Sequence, residues 1–226
     1  MLLPVLFLAA SLSGQIHVNA VMVQVGDFRK FFAGQLDGST SISNLLTHGD
    51  FGVSTLNGLD GELIIKGNAA YRADAYGDIT VVPSTRLTPF ASVTNFLGKP
   101  AFAISSPTSL KAIEERLDRM FPGKDLAIQI DGSFSDVLAR AYPPQAKPYP
   151  KLASIAPSEP RWHIPDTTGA LLGFRVQAPH HPQAFPGYHL HYLSVDRKHG
   201  GHALDATCLA GTVKVMIIDS VRTLSQ

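Results

Sequence analysis

The chain has 226 residues, 45% of them apolar and 16% charged, with 19 Lys and Arg against 18 Asp and Glu. This length supports one large domain or two small, closely packed ones, and the composition excludes a disordered acidic or basic chain. With a net charge of +1 and no basic block, nucleic-acid binding has no electrostatic support; the single cysteine, Cys208, excludes an intramolecular disulfide and a cysteine-built zinc site.

The run Met1 to Gly14 is apolar and ends in small residues, but it is too short to span a bilayer as a helix. Residues 1–15 therefore read as a signal peptide without a basic n-region, with export as the expectation and a cytoplasmic location if the segment is not cleaved. No other segment approaches the ~20 apolar residues of a membrane helix, so no membrane association is expected after its removal. His17 to Val25 reads as a strand and Asp27 to Leu36 as a short helix or turn. Ser41 is placed to cap ISNLL, with Gly49 as its stop. Phe51 to Thr55 and Glu62 to Ile65 read as strands joined by a glycine-bearing turn, followed by short strands at Ala69 to Arg72 and Ile79 to Val82. Ala101 to Ile104 is a further strand. Ser109 to Met120 has helical spacing at Ile113, Leu117 and Met120, with Ser109 as cap. Leu126 to Ile130 alternates like a strand, and Ser135 to Arg140 reads as a separate short element. Tyr142 to Pro160, rich in Pro, Lys and Ser, reads as an exposed connection. Thr168 to Gln177, Tyr188 to Ser194, His202 to Leu209 and Thr212 to Ile218 all read as strands. The sum is a mixed α/β or α+β fold dominated by sheet.

Seven of the nine histidines fall between His163 and His202. His189 and His191 stand two apart in a strand-like run, so both imidazoles share one face. Asp196 to Gly201 is polar and glycine-rich and should reverse the chain, which brings His202 beside His191. An H-x-H pair alone is commonly surface or core histidine. A third histidine across the turn makes a partial shell for zinc or a similar divalent ion, of the open, catalytic type. His180, His181 and His199 read as loop residues, and His48 and His163 have no visible partner. H-E-x-x-H, G-x-S-x-G, a P-loop and G-x-G-x-x-G are all absent. The residues alone stop at a three-histidine metal site.

The segment from Thr47 to Glu62, THGDFGVSTLNGLDGE, resembles the signature region of acetolactate decarboxylases. The segments Gly187-Tyr188-His189-Leu190-His191, Asp196-Arg197 and Gly200-Gly201-His202 resemble that family's zinc hairpin. Thr88-Pro89-Phe90-Ala91 and Asp131-Gly132-Ser133-Phe134, with Arg140, are similar and in the same order, and the resemblance covers about residues 20 to 220. It implies a zinc enzyme, or one using another divalent transition metal, that converts 2-acetolactate to acetoin and carbon dioxide. It implies His189, His191 and His202 as metal ligands, Glu62 and Arg140 as active-site residues, Thr55 as a pocket residue, a small-molecule substrate and a homodimer. The expected architecture is two-lobed, with mixed sheets packed together: residues 16–141 as the N-terminal lobe and 142–226 as the C-terminal lobe carrying the metal hairpin.

These residue types suit the chemistry. The ketone and hydroxyl oxygens of acetolactate are vicinal and can chelate one metal, which stabilises the enediolate left by loss of carbon dioxide. Arginine can hold the departing carboxylate in a bidentate grip. Glutamate carries a proton more easily than arginine, so Glu62 is expected as acid/base or additional metal ligand and Arg140 as carboxylate anchor. In the absence of the family context, a lone glutamate at a turn or an arginine at an element end is usually solvated. The family also supplies a further glutamate from a C-terminal segment. Here no Glu follows Glu159, so altered outer coordination, lower activity or a changed substrate is expected. The alternatives are a lyase or isomerase acting on a related 2-hydroxy-3-keto acid, and a metal-binding protein that kept the scaffold without the chemistry.

Overall fold

The computed structural model describes residues 19–178 and 180–224. The expected signal peptide lies outside them. In chain order the first elements are β1 (Val21–Val25), α1 (Phe28–Phe32), β2 (Thr40–Ser41), α2 (Ile42–Leu46), β3 (Phe51–Thr55), β4 (Glu62–Lys66), β5 (Ala69–Ala73), β6 (Ile79–Val81), β7 (Leu87–Thr88) and β8 (Ala91–Thr94). They are followed by β9 (Lys99–Ile104), β10 (Thr108–Ser109), α3 (Leu110–Met120), β11 (Asp125–Arg140), α4 (Leu152–Ile155), β12 (Arg161–Val176), β13 (Gly187–Ser194), β14 (Gly200–Ile218) and β15 (Ser220–Leu224).

Two large sheets result. The first runs β15-β1-β8-β3-β4-β5-β6, antiparallel except for the parallel pair β1–β15. The second runs β10-β14-β11-β12-β13, with β9 also on β14. Strand β13 returns onto the first residues of β14, so β11, β12, β13 and β14 close a ring of pairings. The expected two-lobed arrangement of mixed sheets with few helices is present. The chain passes between the sheets after Thr94, well before residue 141, so β9 to β11 belong with the histidine strands; β15 then returns to the first sheet.

The sheets meet through Met22, Phe51, Val53, Ile64 and Tyr71 on one side and Leu172, Phe174, Val176, Leu193 and Ile218 on the other. Each fully buried side chain of this size contributes about 1.5–3 kcal/mol. Helix α3 packs Leu110, Ile113 and Leu117 against the second sheet, and Ser109 caps it by accepting the Ala112 N–H at 3.2 Å. Its far end is tied by buried Arg175, which donates to the Phe121 and Lys124 carbonyls at 2.5 and 2.7 Å. Ser41 caps α2 as expected. That helix stops at Leu46, before Gly49, because the Thr47 hydroxyl turns back onto the Asn44 carbonyl at 2.7 Å.

Three expectations need correction. Leu126 to Ile130 and Ser135 to Arg140 are one strand, β11, with register shifts between Ser133 and Phe134, Phe134 and Asp136, and Leu138 and Ala139. Asp131-Gly132-Ser133 carries turn chemistry, but Gly132 serves a close approach: a Cβ there would stand 2.5 Å from the Ala210 carbonyl oxygen. His202 to Leu209 and Thr212 to Ile218 are likewise one strand, running through Gly211. Tyr142 to Pro160 is more than an exposed connection. It carries α4, and Tyr142 and Leu152 join a buried cluster with Phe31, Leu36, Leu59 and Phe90. No helix among the described residues is long and apolar enough to cross a membrane.

Candidate active site and metal centre

Strand alternation puts His189 and His191 on one face of β13, and the hairpin sets His202 opposite His191. Gly201 makes the close approach possible. It sits at φ 142°, and a Cβ there would stand 2.9 Å from the Arg140 carbonyl oxygen, so the backbone can lie against the end of β11. His202 therefore pairs with both His191 and Arg140 across the ring.

The three imidazoles each bring one ring nitrogen within 4.8 Å of the others. His191 and His202 are buried, and Nδ1 of His189 is shielded although that residue is only partly covered overall. His191 Nδ1 lies 3.0 Å from the Leu63 carbonyl oxygen. A carbonyl can only accept, so Nδ1 carries the proton and Nε2 presents its lone pair to the cluster. Nε2 of His189 faces Nε2 of His191 at 3.1 Å. Two imidazole nitrogens on one tetrahedral ion, with bonds of about 2.0–2.1 Å, stand roughly 3.3 Å apart, so the spacing fits a shared divalent ion. Burial, with the Arg140 charge behind it, lowers the His189 pKa to about 3; burial drives those of His191 and His202 well down too. All three are neutral, which is the form that binds metal. The residues fit a metal ion.

Beside the imidazoles lies a charged chain. β4 opens with Glu62, paired across from Thr55, and β11 ends at Arg140. Arg140 Nη1 donates to Glu62 Oε1 at 2.5 Å, while Glu62 Oε2 lies 3.2 Å from His191 Nε2. On the other side, Arg140 Nε meets Glu159 Oε2 at 3.2 Å, and the Tyr142 hydroxyl donates to the same oxygen at 2.7 Å. Burial pushes the Glu62 carboxyl up to about 6; Arg140 opposes this, and the Glu159 charge adds to it. The Thr55 hydroxyl donates to the Gly61 carbonyl at 2.7 Å, which pins the turn into β4.

Glu62, Arg140, Thr55 and His189 share the wall of a cavity of about 100 Å³ with Tyr142. Its remaining wall is mostly apolar, including Phe31, Phe90, Leu152 and Phe185. Phe185 also packs on His189, with ring centroids 4.7 Å apart. A larger cleft of about 1100 Å³, near His48, Leu97 and Met216, includes none of the expected site residues.

Residues 22–225 match the family model described as alpha-acetolactate decarboxylase. The chain belongs to the alpha-acetolactate decarboxylase family. Members of that family are carboxy-lyases that act on a small molecule. Among its relatives is the alpha-acetolactate decarboxylase of Methanosarcina mazei, 37% identical over 191 residues, which are 84% of this chain and 66% of that protein. That of Raoultella terrigena is 35% identical over 193 residues, 84% of this chain and 74% of that protein. Among solved structures, alpha-acetolactate decarboxylase from Bacillus subtilis strain 168 superposes with a TM-score of 0.85 at 30% identity, covering 90% of this chain and 88% of that one.

All six residues singled out in the sequence gather at this one place. Glu159 and Tyr142 were missed. Both lie in the stretch that composition marks as a connection; Tyr142 follows Arg140 by two residues, whereas the pairing of β11 with β12, which sets Arg161 opposite Arg140, brings Glu159 to it. Among the other histidines, His163 Nδ1 pairs with Asp136 at 2.7 Å on the surface, and His180 and His181 face Asp125 at 3.5 and 3.2 Å.

Proposed function

We propose that this protein is a zinc-dependent acetolactate decarboxylase that releases acetoin and carbon dioxide from 2-acetolactate. The observation that carries the reading is the approach of the Glu62–Arg140 pair to His191, beside three converging imidazoles, in a small cavity of a chain of this family. His189, His191 and His202 would hold the ion. Bound there, zinc would supply a Lewis acid for the vicinal ketone and hydroxyl oxygens and for the negative charge left by decarboxylation.

The chain's own residues do the rest. Arg140 keeps N–H donors beyond those given to Glu62 and Glu159, and these take the substrate carboxylate, which fixes the bond that breaks. The phenylalanines around the cavity exclude water, so the carboxylate leaves an environment that solvates it poorly. Glu62, with its proton affinity raised by burial, hands a proton to the carbon that lost the carboxylate. Because Glu62 is tied to Arg140 on one side of the cavity, the proton arrives on one face and a single acetoin enantiomer results. Thr55 holds the turn from which Glu62 projects.

The test is acetoin and carbon dioxide release from racemic 2-acetolactate by the protein as purified, after chelation, and after zinc is restored. Product that vanishes with chelator and returns with zinc is expected. Absence of acetoin from protein carrying one metal ion per chain would overturn the reading.

A further inference from the structure

Glu159 has no part in the scheme above, yet its side chain is only 8% exposed and its two oxygens are fully engaged. Oε2 accepts the Tyr142 hydroxyl and stands 3.2 Å from Arg140 Nε in an ion pair; Oε1 accepts from Nε and Nη2 of Arg161 at 3.0 and 2.7 Å. Arg161 is 57% exposed and supplies a positive charge from the solvent side. Arg140 is thus held on two edges. Glu62 takes Nη1, Glu159 takes Nε, and the Tyr142 ring lies 5.0 Å from the guanidinium carbon. Arg140 lines the cavity and Glu159 does not.

We propose that Glu159 is a positioning residue that grips the Nε edge of Arg140 and so turns the guanidinium's remaining amino edge into the cavity, toward the substrate's carboxylate. This rests on the decarboxylase reading for the identity of the carboxylate and on geometry alone for the grip. A guanidinium reads a carboxylate through its planar fork, so a rotation of the plane costs more than a small displacement. Glu62 alone leaves Arg140 free to swing about one hydrogen bond; the Glu159 charge on the Nε side opposes that swing. Glu159 directly follows the helical turn Ala156–Ser158, and Leu152, Ala153 and Ala156 of the same segment form part of the cavity wall. The grip therefore sets the arginine and that wall together.

The experiment compares metal-loaded wild type with Glu159→Ala and Glu159→Gln. In the Ala variant, KM for 2-acetolactate rises roughly 10- to 100-fold while kcat stays within about threefold and metal content is unchanged. Gln keeps a carbonyl acceptor for Arg140 Nε and restores most of the lost KM. A purely structural role would instead lower the active fraction, so kcat would fall at constant KM, and that result would overturn the proposal. The side-chain Nε–H of Arg140, followed by ¹⁵N NMR, gives an arm independent of turnover. It exchanges slowly with water in wild type and rapidly in Glu159→Ala; equal exchange in the two overturns the grip. If wild type makes no acetoin, the decarboxylase reading falls and the NMR arm alone decides the role of Glu159.

Discussion

Glu62→Gln separates proton transfer from metal binding, because it keeps the volume of the side chain and removes its charge and its exchangeable proton. The amide oxygen can still accept from Arg140 Nη1, now at 2.5 Å. The NH₂ then takes the position of Oε2, 3.2 Å from His191 Nε2, and holds no proton it can give up. A positioned acid or base contributes about 10²–10⁴ in rate, or roughly 3–5.5 kcal/mol of barrier. The expected kcat is therefore ~100- to 10,000-fold below wild type. KM should stay level or fall, since Arg140 loses one of its two counter-charges and attracts the substrate carboxylate more strongly. Loss of a carboxylate beside the ligands weakens the metal by no more than about 10- to 100-fold, which a tight site tolerates. The assay is initial-rate acetoin formation with metal content measured on the same samples. A kcat within tenfold of wild type on fully loaded protein would refute the assignment of Glu62 as proton carrier.

Three further outcomes are expected. The folded, metal-free protein keeps His189, His191 and His202 neutral, whereas the unfolded chain takes up protons below about pH 6.5; stability should therefore fall as pH drops through that value, by up to ~1.4 kcal/mol per pH unit for each histidine. Melting curves after chelation at about pH 8 and pH 5 check this, and a flat Tm would contradict it. Burial and the nearby Asp118 and Asp205 raise the Glu114 carboxyl to about 7, so its ionisation opposes folding increasingly as pH rises from about 4.5 through 7. Glu114→Gln should accordingly raise Tm near pH 8 and leave it unchanged near pH 4.5. Arg175→Met strands the Phe121 and Lys124 carbonyls at the end of α3 and should cost about 2–4 kcal/mol in denaturant unfolding, with KM unchanged.

The metal hairpin is legible in the sequence because its logic is local. An H-x-H pair on an alternating strand, a glycine-rich reversal and a third histidine on the return strand depend only on strand geometry and a turn. Glu62 and Arg140 become legible only through family resemblance, since each by itself is an ordinary charged residue at the end of an element. Glu159 has no local signal at all. Pro-, Lys- and Ser-rich surroundings resemble solvent-exposed chain, and its burial arises from Tyr142 and Arg140 some 17 and 19 residues away. The split readings of β11 and β14 share one cause. Glycines at 132 and 211 look like breaks, but here they let two strand backbones approach, as the 2.5 and 2.6 Å Cβ clearances to carbonyl oxygens at those positions require. β15 escapes notice because its partner, β1, lies about 200 residues earlier and pairs in parallel, with no turn to announce it.

The ring of strands β11 to β14 is not uniformly sewn. β11 meets its neighbours along nearly its whole length, whereas β13 meets β14 at only three positions: His191 with His202, Tyr192 with Gly201, and Leu193 with Gly200. That short seam is where the imidazoles sit. An ion shared by His189 and His191 on one strand and His202 on the other would act as a rivet through the weakest joint of the ring. Occupancy and architecture would then be a single equilibrium at that joint: the energy that retained the ion would also keep the ring shut, and local fraying would begin where the ion left.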